Sequence, residues 1–191
     1  MGGDGFPRRM LFGACLATSL GPRPPVARAD DGSAQSELPQ PGDQFVMVGR
    51  EAEAAPLKPG DFELQDLVLA WGFDPQQKIV RSASRLNMVL LMRFDPATLG
   101  EAQRQIAADG IVAYTAVCTH QQCWVTDWLK STQVLQCPCH QSQYDLRQGG
   151  KVVGGPAPRP LPALPLKISN NLLDVAGPFT GRVGGEQQQG A

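Results

Sequence analysis

The sequence predicts a mainly β protein. Three observations carry this reading. Glycine and proline are abundant, 21 and 17 of 191 residues, which fits a chain that turns often. Short runs of Val, Leu, Met and aromatic residues recur between those turns, at strand length rather than helix length. A single segment carries helix boundary signals.

Residues 44–48, 67–72, 86–94 and 111–117 are the first four predicted strands, each apolar and β-rich. Residues 98–108 read as the one short helix, bracketed by the turn pairs Asp95-Pro96 and Asp109-Gly110. Residues 134–136 form a further strand. Residues 166–168 and 172–176, separated by Asn170-Asn171, read as a closing hairpin. Residues 30–43, rich in Ser, Gln, Pro, Asp and Gly, are expected to be a flexible lead-in, and residues 186–191 a disordered tail. The stretch between them, 44–185, is long enough for one domain with a full core.

Chemistry is concentrated in two blocks. Cys118-Thr119-His120-Gln121-Gln122-Cys123 and Cys137-Pro138-Cys139-His140 place four cysteines and both histidines of the chain within 23 residues. In each block a Cys and a His can reach a metal from one loop tip, through Cys118 with His120 and Cys137 with His140. Cys123 and Cys139 remain as one extra cysteine per block. A tetrahedral zinc site on Cys118, His120, Cys137 and His140 is the simplest structural alternative.

The order Cys-x-His, sixteen residues, Cys-x-x-His resembles the Rieske iron-sulfur proteins. The resemblance implies a 2Fe-2S cluster with Cys118 and Cys137 on one iron and His120 and His140 on the other. It also implies a disulfide between Cys123 and Cys139, as in the high-potential branch. Ser142 and Tyr144 match the positions from which that branch donates hydroxyl hydrogen bonds to cluster sulfurs. Gly154-Gly155-Pro156-Ala157-Pro158 is similar to the proline loop that covers the cluster, with Gly155 and Pro156 against it. The implied fold is an antiparallel β base carrying a small cluster-binding subdomain, about residues 116–158. Zinc would leave Ser142, Tyr144, the proline loop and the spare cysteines unexplained.

Ligand chemistry sets the expected potential. Two thiolates and two neutral imidazoles leave a cluster less negative than four thiolates do, so the mixed site accepts an electron more readily. The usual ranges are about −150 to +300 mV against about −400 mV for plant-type ferredoxins. Hydroxyl donors to sulfur stabilise the reduced state and push toward the positive end. Gln122 and Gln141 stand where the family usually has glycine, at points where the backbone turns tightly.

Arg8-Arg9 precedes an apolar run of about eleven residues, short of the ~20 that span a bilayer. Ala27-Arg28-Ala29 then offers a small-x-small cleavage pattern, so residues 1–29 resemble a twin-arginine signal peptide. Export to the periplasm is expected, with association to the inner membrane through a partner or an uncleaved signal as the alternative. Cys15 belongs to this segment, and Phe12 stands where a lipoprotein signal needs an aliphatic residue.

Without residues 1–29 the chain has 13 basic and 17 acidic residues, a net charge of −4. No basic stripe points to nucleic acid. An oxygenase would need a second, mononuclear iron held by two further histidines and a carboxylate, and this chain has only His120 and His140. The expected function is therefore electron transfer, as the iron-sulfur subunit of a quinol-oxidising cytochrome bc-type complex with cytochromes b and c as partners. The alternative is the small subunit of an arsenite-oxidase-like molybdenum oxidoreductase. Met88, Met92 and Trp71 read as core, and Trp124 and Trp128 as mainly structural residues flanking the site.

Overall fold

The computed structural model describes residues 1–2 and 33–185. All but the first two residues of the expected signal segment 1–29, with Cys15, and the expected tail at 186–191 lie outside the described residues. Eleven strands are described: β1 (Gln44–Met47), β2 (Leu67–Asp74), β3 (Ile79–Val80), β4 (Val89–Arg93), β5 (Ile111–Thr115), β6 (Asp127–Leu129), β7 (Val134–Gln136), β8 (Gln143–Asp145), β9 (Lys151–Gly154), β10 (Leu166–Ser169) and β11 (Leu172–Val175). Every pair of these strands is antiparallel. The expected mainly β class is borne out.

The base is a five-stranded sheet in the order β1-β2-β4-β5, with β3 on β2. β4 and β5 are buried on both faces, which is why they read as unbroken apolar runs. Leu90, Met92, Val112 and Tyr114 point into one core, and Val89, Leu91, Ile111 and Ala113 into the other. The second core is closed by the β10-β11 hairpin through Leu166, Leu173 and Val175. Asn170 and Asn171 both adopt positive φ, 51° and 61°, as a two-residue hairpin turn requires.

The other core reaches across into a four-stranded sheet, β6-β7-β8-β9. Leu135 and Tyr144 from that sheet, and Leu146 of the 3-10 turn that follows β8, pack with Leu90, Met92 and Tyr114 of the base. The Tyr114 hydroxyl donates to the Leu146 carbonyl at 2.6 Å, locking the two sheets at their junction. Met88 and Met92 are fully buried and Trp71 nearly so.

Two elements are shorter than expected. The strand read over 86–94 begins only at Val89, because Arg85–Asn87 forms a 3-10 turn capped by Ser84, whose hydroxyl accepts from the Leu86 amide. The helix read over 98–108 is α2 (Glu101–Ile106). Asp95 caps a separate 3-10 turn at Pro96–Thr98, and Leu99 is extended and buried before Gly100, the residue that precedes the helix.

The expected flexible lead-in makes contacts with the domain from Ala34 onward. A short helix, α1 (Ser33–Ser36), lies within it. Arg81 is buried and pairs with Asp43 at 2.6 Å, Glu37 at 3.0 Å and Asp74 at 3.7 Å. Its Nη1 also donates to the Ala34 carbonyl, while Asn87 Nδ2 donates to the Gln35 and Glu37 carbonyls. Polar composition suggested a mobile segment, but these contacts run to residues distant in sequence. Among the described residues, no helix is long and apolar enough to cross a membrane.

Candidate metal centre

Two loops rise from the ends of β5 and β7 and share one backbone design. In the first, the Cys118 amide donates to the Cys123 carbonyl at 2.8 Å and the Gln122 amide to the Cys118 carbonyl at 3.1 Å. In the second, the Cys137 amide donates to the Ser142 carbonyl at 2.8 Å and the Gln141 amide to the Cys137 carbonyl at 2.9 Å. Each loop thus closes on its leading cysteine and turns at a left-handed residue, Gln122 with φ 59° and Gln141 with φ 58°. Glutamine takes the glycine-type conformation at both positions, so the turn is kept at a strain cost.

The loops bring the expected residues together. Cys118 and Cys137 are free thiols, 1% and 0% exposed. Burial pushes the Cys137 thiol up, and the neighbouring Cys118 sulfur adds to this; the amides of Cys139 and His140 donate to the Cys137 sulfur and pull the other way. Those amides are placed to stabilise a thiolate once a cation offsets the burial. The His120 and His140 rings meet edge to face with centroids 4.8 Å apart. His140 is exposed, while His120 is half-buried.

Cys123 and Cys139 form a disulfide with a Cα separation of 6.5 Å. Their sulfurs and that of Cys137 all lie within 4.8 Å of one another. This sulfur cluster has the reach of a metal site, but two of its members are oxidised and have no thiolate to give. Cys118, Cys137 and the two imidazoles are the donors left on the loops.

Hydroxyl groups line the sulfur side. The buried Tyr144 hydroxyl lies 3.2 Å from Cys118 Sγ. It also accepts from the Thr119 amide at 3.3 Å and lies 3.2 Å from Thr119 Oγ1. Burial raises the pKa of this phenol and the Cys118 sulfur raises it further, so it stays a donor at neutral pH. Ser142 Oγ and His120 Nδ1 are both buried without a hydrogen-bond partner. Orphaned polar atoms of this kind are rare in a native interior. These are two of five such atoms among the described residues, the others being on Asn87, Arg93 and Trp128, and they belong to the loops that carry the two free thiols, where a sulfur- and imidazole-ligated iron-sulfur group would satisfy them.

The segment after β9 closes the remaining side. Gly155 has φ +77°, and a Cβ there would lie 2.5 Å from Ser142 Cα and 2.6 Å from the Gln141 carbonyl oxygen. Glycine is required for that approach. Pro156 follows at the surface. Trp124 is 38% exposed, stacks under Arg85 at 5.2 Å and donates to the Arg85 carbonyl at 3.2 Å. Trp128 packs edge-on against Phe94 at 5.8 Å.

Thr119 was not singled out from the sequence, although it sits between the two expected ligands of the first loop. Its Oγ1 donates to the Arg159 carbonyl at 2.7 Å, bridging the first loop to the proline segment. A buried hydroxyl in the middle of a Cys-x-His motif was the available signal.

The arrangement defines a β protein that carries two free thiols and two imidazoles on a pair of matched loops. Comparison with known proteins agrees. Residues 92–165 match the Rieske [2Fe-2S] domain. The cytochrome bc1 complex Rieske iron-sulfur subunit of Streptomyces lividans is 30% identical over 133 residues, covering 68% of this chain and 78% of that protein. A putative respiratory nitrate reductase Rieske subunit of Haloferax mediterranei is 45% identical over 76 residues, covering 39% of this chain and 34% of that one. The solved soluble domain of Rieske protein II from Sulfolobus acidocaldarius is 26% identical, with a TM-score of 0.38 over 50% of this chain and 65% of that one. The chain belongs to the Rieske iron-sulfur family, whose domain implies a 2Fe-2S cluster.

Proposed function

We propose that this chain is a periplasmic one-electron carrier with a high-potential Rieske centre, serving as the iron-sulfur subunit of a quinol-oxidising cytochrome bc-type complex. The observation that carries the reading is the Tyr144 hydroxyl at 3.2 Å from Cys118 Sγ, with the Ser142 hydroxyl buried and unpartnered nearby. A 2Fe-2S cluster bound here supplies a site for one electron. Cys118 and Cys137 would hold it by thiolate and His120 and His140 by imidazole. Ser142 and Tyr144 would donate to sulfur and favour the reduced state.

The histidines give the site its outward chemistry. His140 is exposed, so its imidazole can accept a hydrogen bond from a quinol and hold the released proton. With a cluster bound, iron would make the imidazoles of His120 and His140 more acidic in the oxidised state, so electron and proton uptake would be coupled and the potential would fall as pH rises. Residues 1–29 would direct export of the folded protein by the twin-arginine route, residues 44–185 would form the Rieske domain, and residues 116–158 its cluster-binding part.

The similarity to a nitrate reductase Rieske subunit supports a second reading. In it the chain docks on a molybdenum catalytic subunit, as in the arsenite-oxidase-like alternative, and cytochromes are not its direct partners.

A redox titration of the purified protein followed by electron paramagnetic resonance from pH 6 to 10 tests the proposal. A reduced signal with mean g below 2 and a positive, pH-dependent midpoint is expected. A silent, zinc-containing protein would overturn it. Co-purification of cytochromes b and c or of a molybdenum protein separates the two readings.

A further inference from the structure

The first loop is gripped from outside by the last described residues of the chain. Gly184 and Gly185 are buried. A Cβ on Gly185 would lie 2.6 Å from the His120 carbonyl oxygen, and one on Gly184 would touch the Gln122 side chain at 3.5 Å. Such close backbone approach at the end of a domain needs something to hold it, because terminal segments otherwise fray. Arg159 supplies the hold: Nη1 donates to the Arg182 carbonyl at 2.6 Å and Nη2 to the Gly184 carbonyl. The planar guanidinium spans two carbonyls, which an ammonium cannot do in the same geometry.

Arg159 also acts through its own carbonyl, which accepts from Thr119 Oγ1 at 2.7 Å. Thr119 joins Cys118 to His120 in sequence and contacts the Tyr144 hydroxyl that reaches Cys118 Sγ. One residue therefore holds the first loop by its main chain and the strap over that loop by its side chain. The second loop has its own support, the close approach of Gly155 to Gln141 and Ser142.

We propose that Arg159 is a positioning residue for His120, acting through residues 182–185 as a strap that fixes the backbone of the first loop. The link to a metal ligand rests on the function proposed above; the mechanical link from Arg159 to the loop does not. Hydrogen exchange in the full-length, cluster-loaded protein tests the mechanical part. In Arg159→Ala the amides of Cys118 and Gln122 are expected to exchange about tenfold faster, the scale set by loss of one charge-assisted hydrogen bond. The matching amides of Cys137 and Gln141 keep their rates.

Arg159→Lys recovers part of the protection, and it keeps the test alive if the alanine variant does not fold. Gly185→Ala, which pushes the strap off the His120 carbonyl, reproduces the effect, and the double variant adds little to either single one. Equal acceleration in both loops, or none in the first, overturns the proposal. Nitrogen hyperfine couplings of the reduced cluster give the second readout: one histidine coupling should change in Arg159→Ala, and two unchanged couplings would also overturn it. Absence of any histidine coupling in the unmodified protein would sink the ligand assignment instead, and the exchange comparison would still decide the strap.

Discussion

Gln122 and Gln141 hold the same left-handed backbone angle, φ 59° and 58°, at the same step of two loops that each close on a leading cysteine. An L-residue in this region costs about 1–2 kcal/mol, whereas glycine there costs mainly the extra freedom of the unfolded chain, about 0.5–1 kcal/mol. Gln122→Gly and Gln141→Gly are each expected to stabilise the protein by up to about 1 kcal/mol. Thermal unfolding of each variant checks this, and a loss of stability would mean that the glutamine side chains contribute packing that outweighs the strain.

Tyr144→Phe and Ser142→Ala should each lower the midpoint potential by some tens of mV while iron content stays intact. A hydrogen bond to a charged acceptor is worth about 1.5–3 kcal/mol, and only its difference between the two redox states is felt, at about 59 mV per tenfold for one electron. The titration is read alongside iron analysis. Unchanged potentials in both variants would mean these hydroxyls do not face the sulfurs.

Gly155→Ala should reduce cluster occupancy sharply. The added methyl would lie 2.5 Å from Ser142 Cα, and both contacting groups are backbone, so the proline segment or the second loop must move. Iron per chain, compared with a Gly149→Ala control where a Cβ meets nothing within 4 Å, separates this clash from general effects of losing a positive-φ glycine.

The double variant Cys123→Ser/Cys139→Ser removes the disulfide without leaving an odd thiol. A bridge that closes a loop of this separation, 16 residues, typically stabilises by about 2–4 kcal/mol. A loss in that range, with faster cluster release, is expected from denaturant unfolding and from the decay of the visible absorption.

Glu51 provides a pH probe away from the metal site. Its carboxylate accepts from the Gly49 amide at 2.9 Å and from the Trp71 indole at 2.7 Å. The Gly49 amide, followed by the Glu51 amide and the indole, holds the pKa below the usual glutamate value. A depressed pKa means stability that is complete above the ordinary carboxylate range and lost as pH falls through the folded value. Trp71 emission should therefore shift only below about pH 4.3, the unperturbed glutamate value. Glu51→Ala, which strands a buried indole N–H, should cost about 1–3 kcal/mol.

The sequence carried most of the base. β4 and β5 were visible because burial on both faces demands unbroken apolar runs, and the β10-β11 turn was visible because Asn170 and Asn171 tolerate positive φ. The boundaries at Val89 and Glu101 were not, since each depends on a local cap, Ser84 or Asp95, competing with regular structure. The contacts of the lead-in were not legible for a different reason: Arg81, Asp43, Glu37 and Asn87 are ordinary polar residues until the fold puts them together. At the candidate site, the two blocks hold the residues that the loops bring together, but their spacing did not point to Thr119 or the Arg159 clamp. Those roles arise from contacts between segments, which spacing along one block does not encode.

The neighbouring sulfurs of Cys123, Cys137 and Cys139 give the disulfide a part in assembly. While that bridge is open, the loops present four thiols instead of two, and four-thiolate sites bind zinc and other soft cations readily. Closing the bridge withdraws two of those donors and leaves the sulfur and imidazole balance suited to a mixed centre. The order of the two events, metal delivery and thiol oxidation, is therefore expected to bear on which metal the chain captures. Cultures grown under reducing conditions should yield a larger zinc-loaded fraction than those in which the bridge forms early.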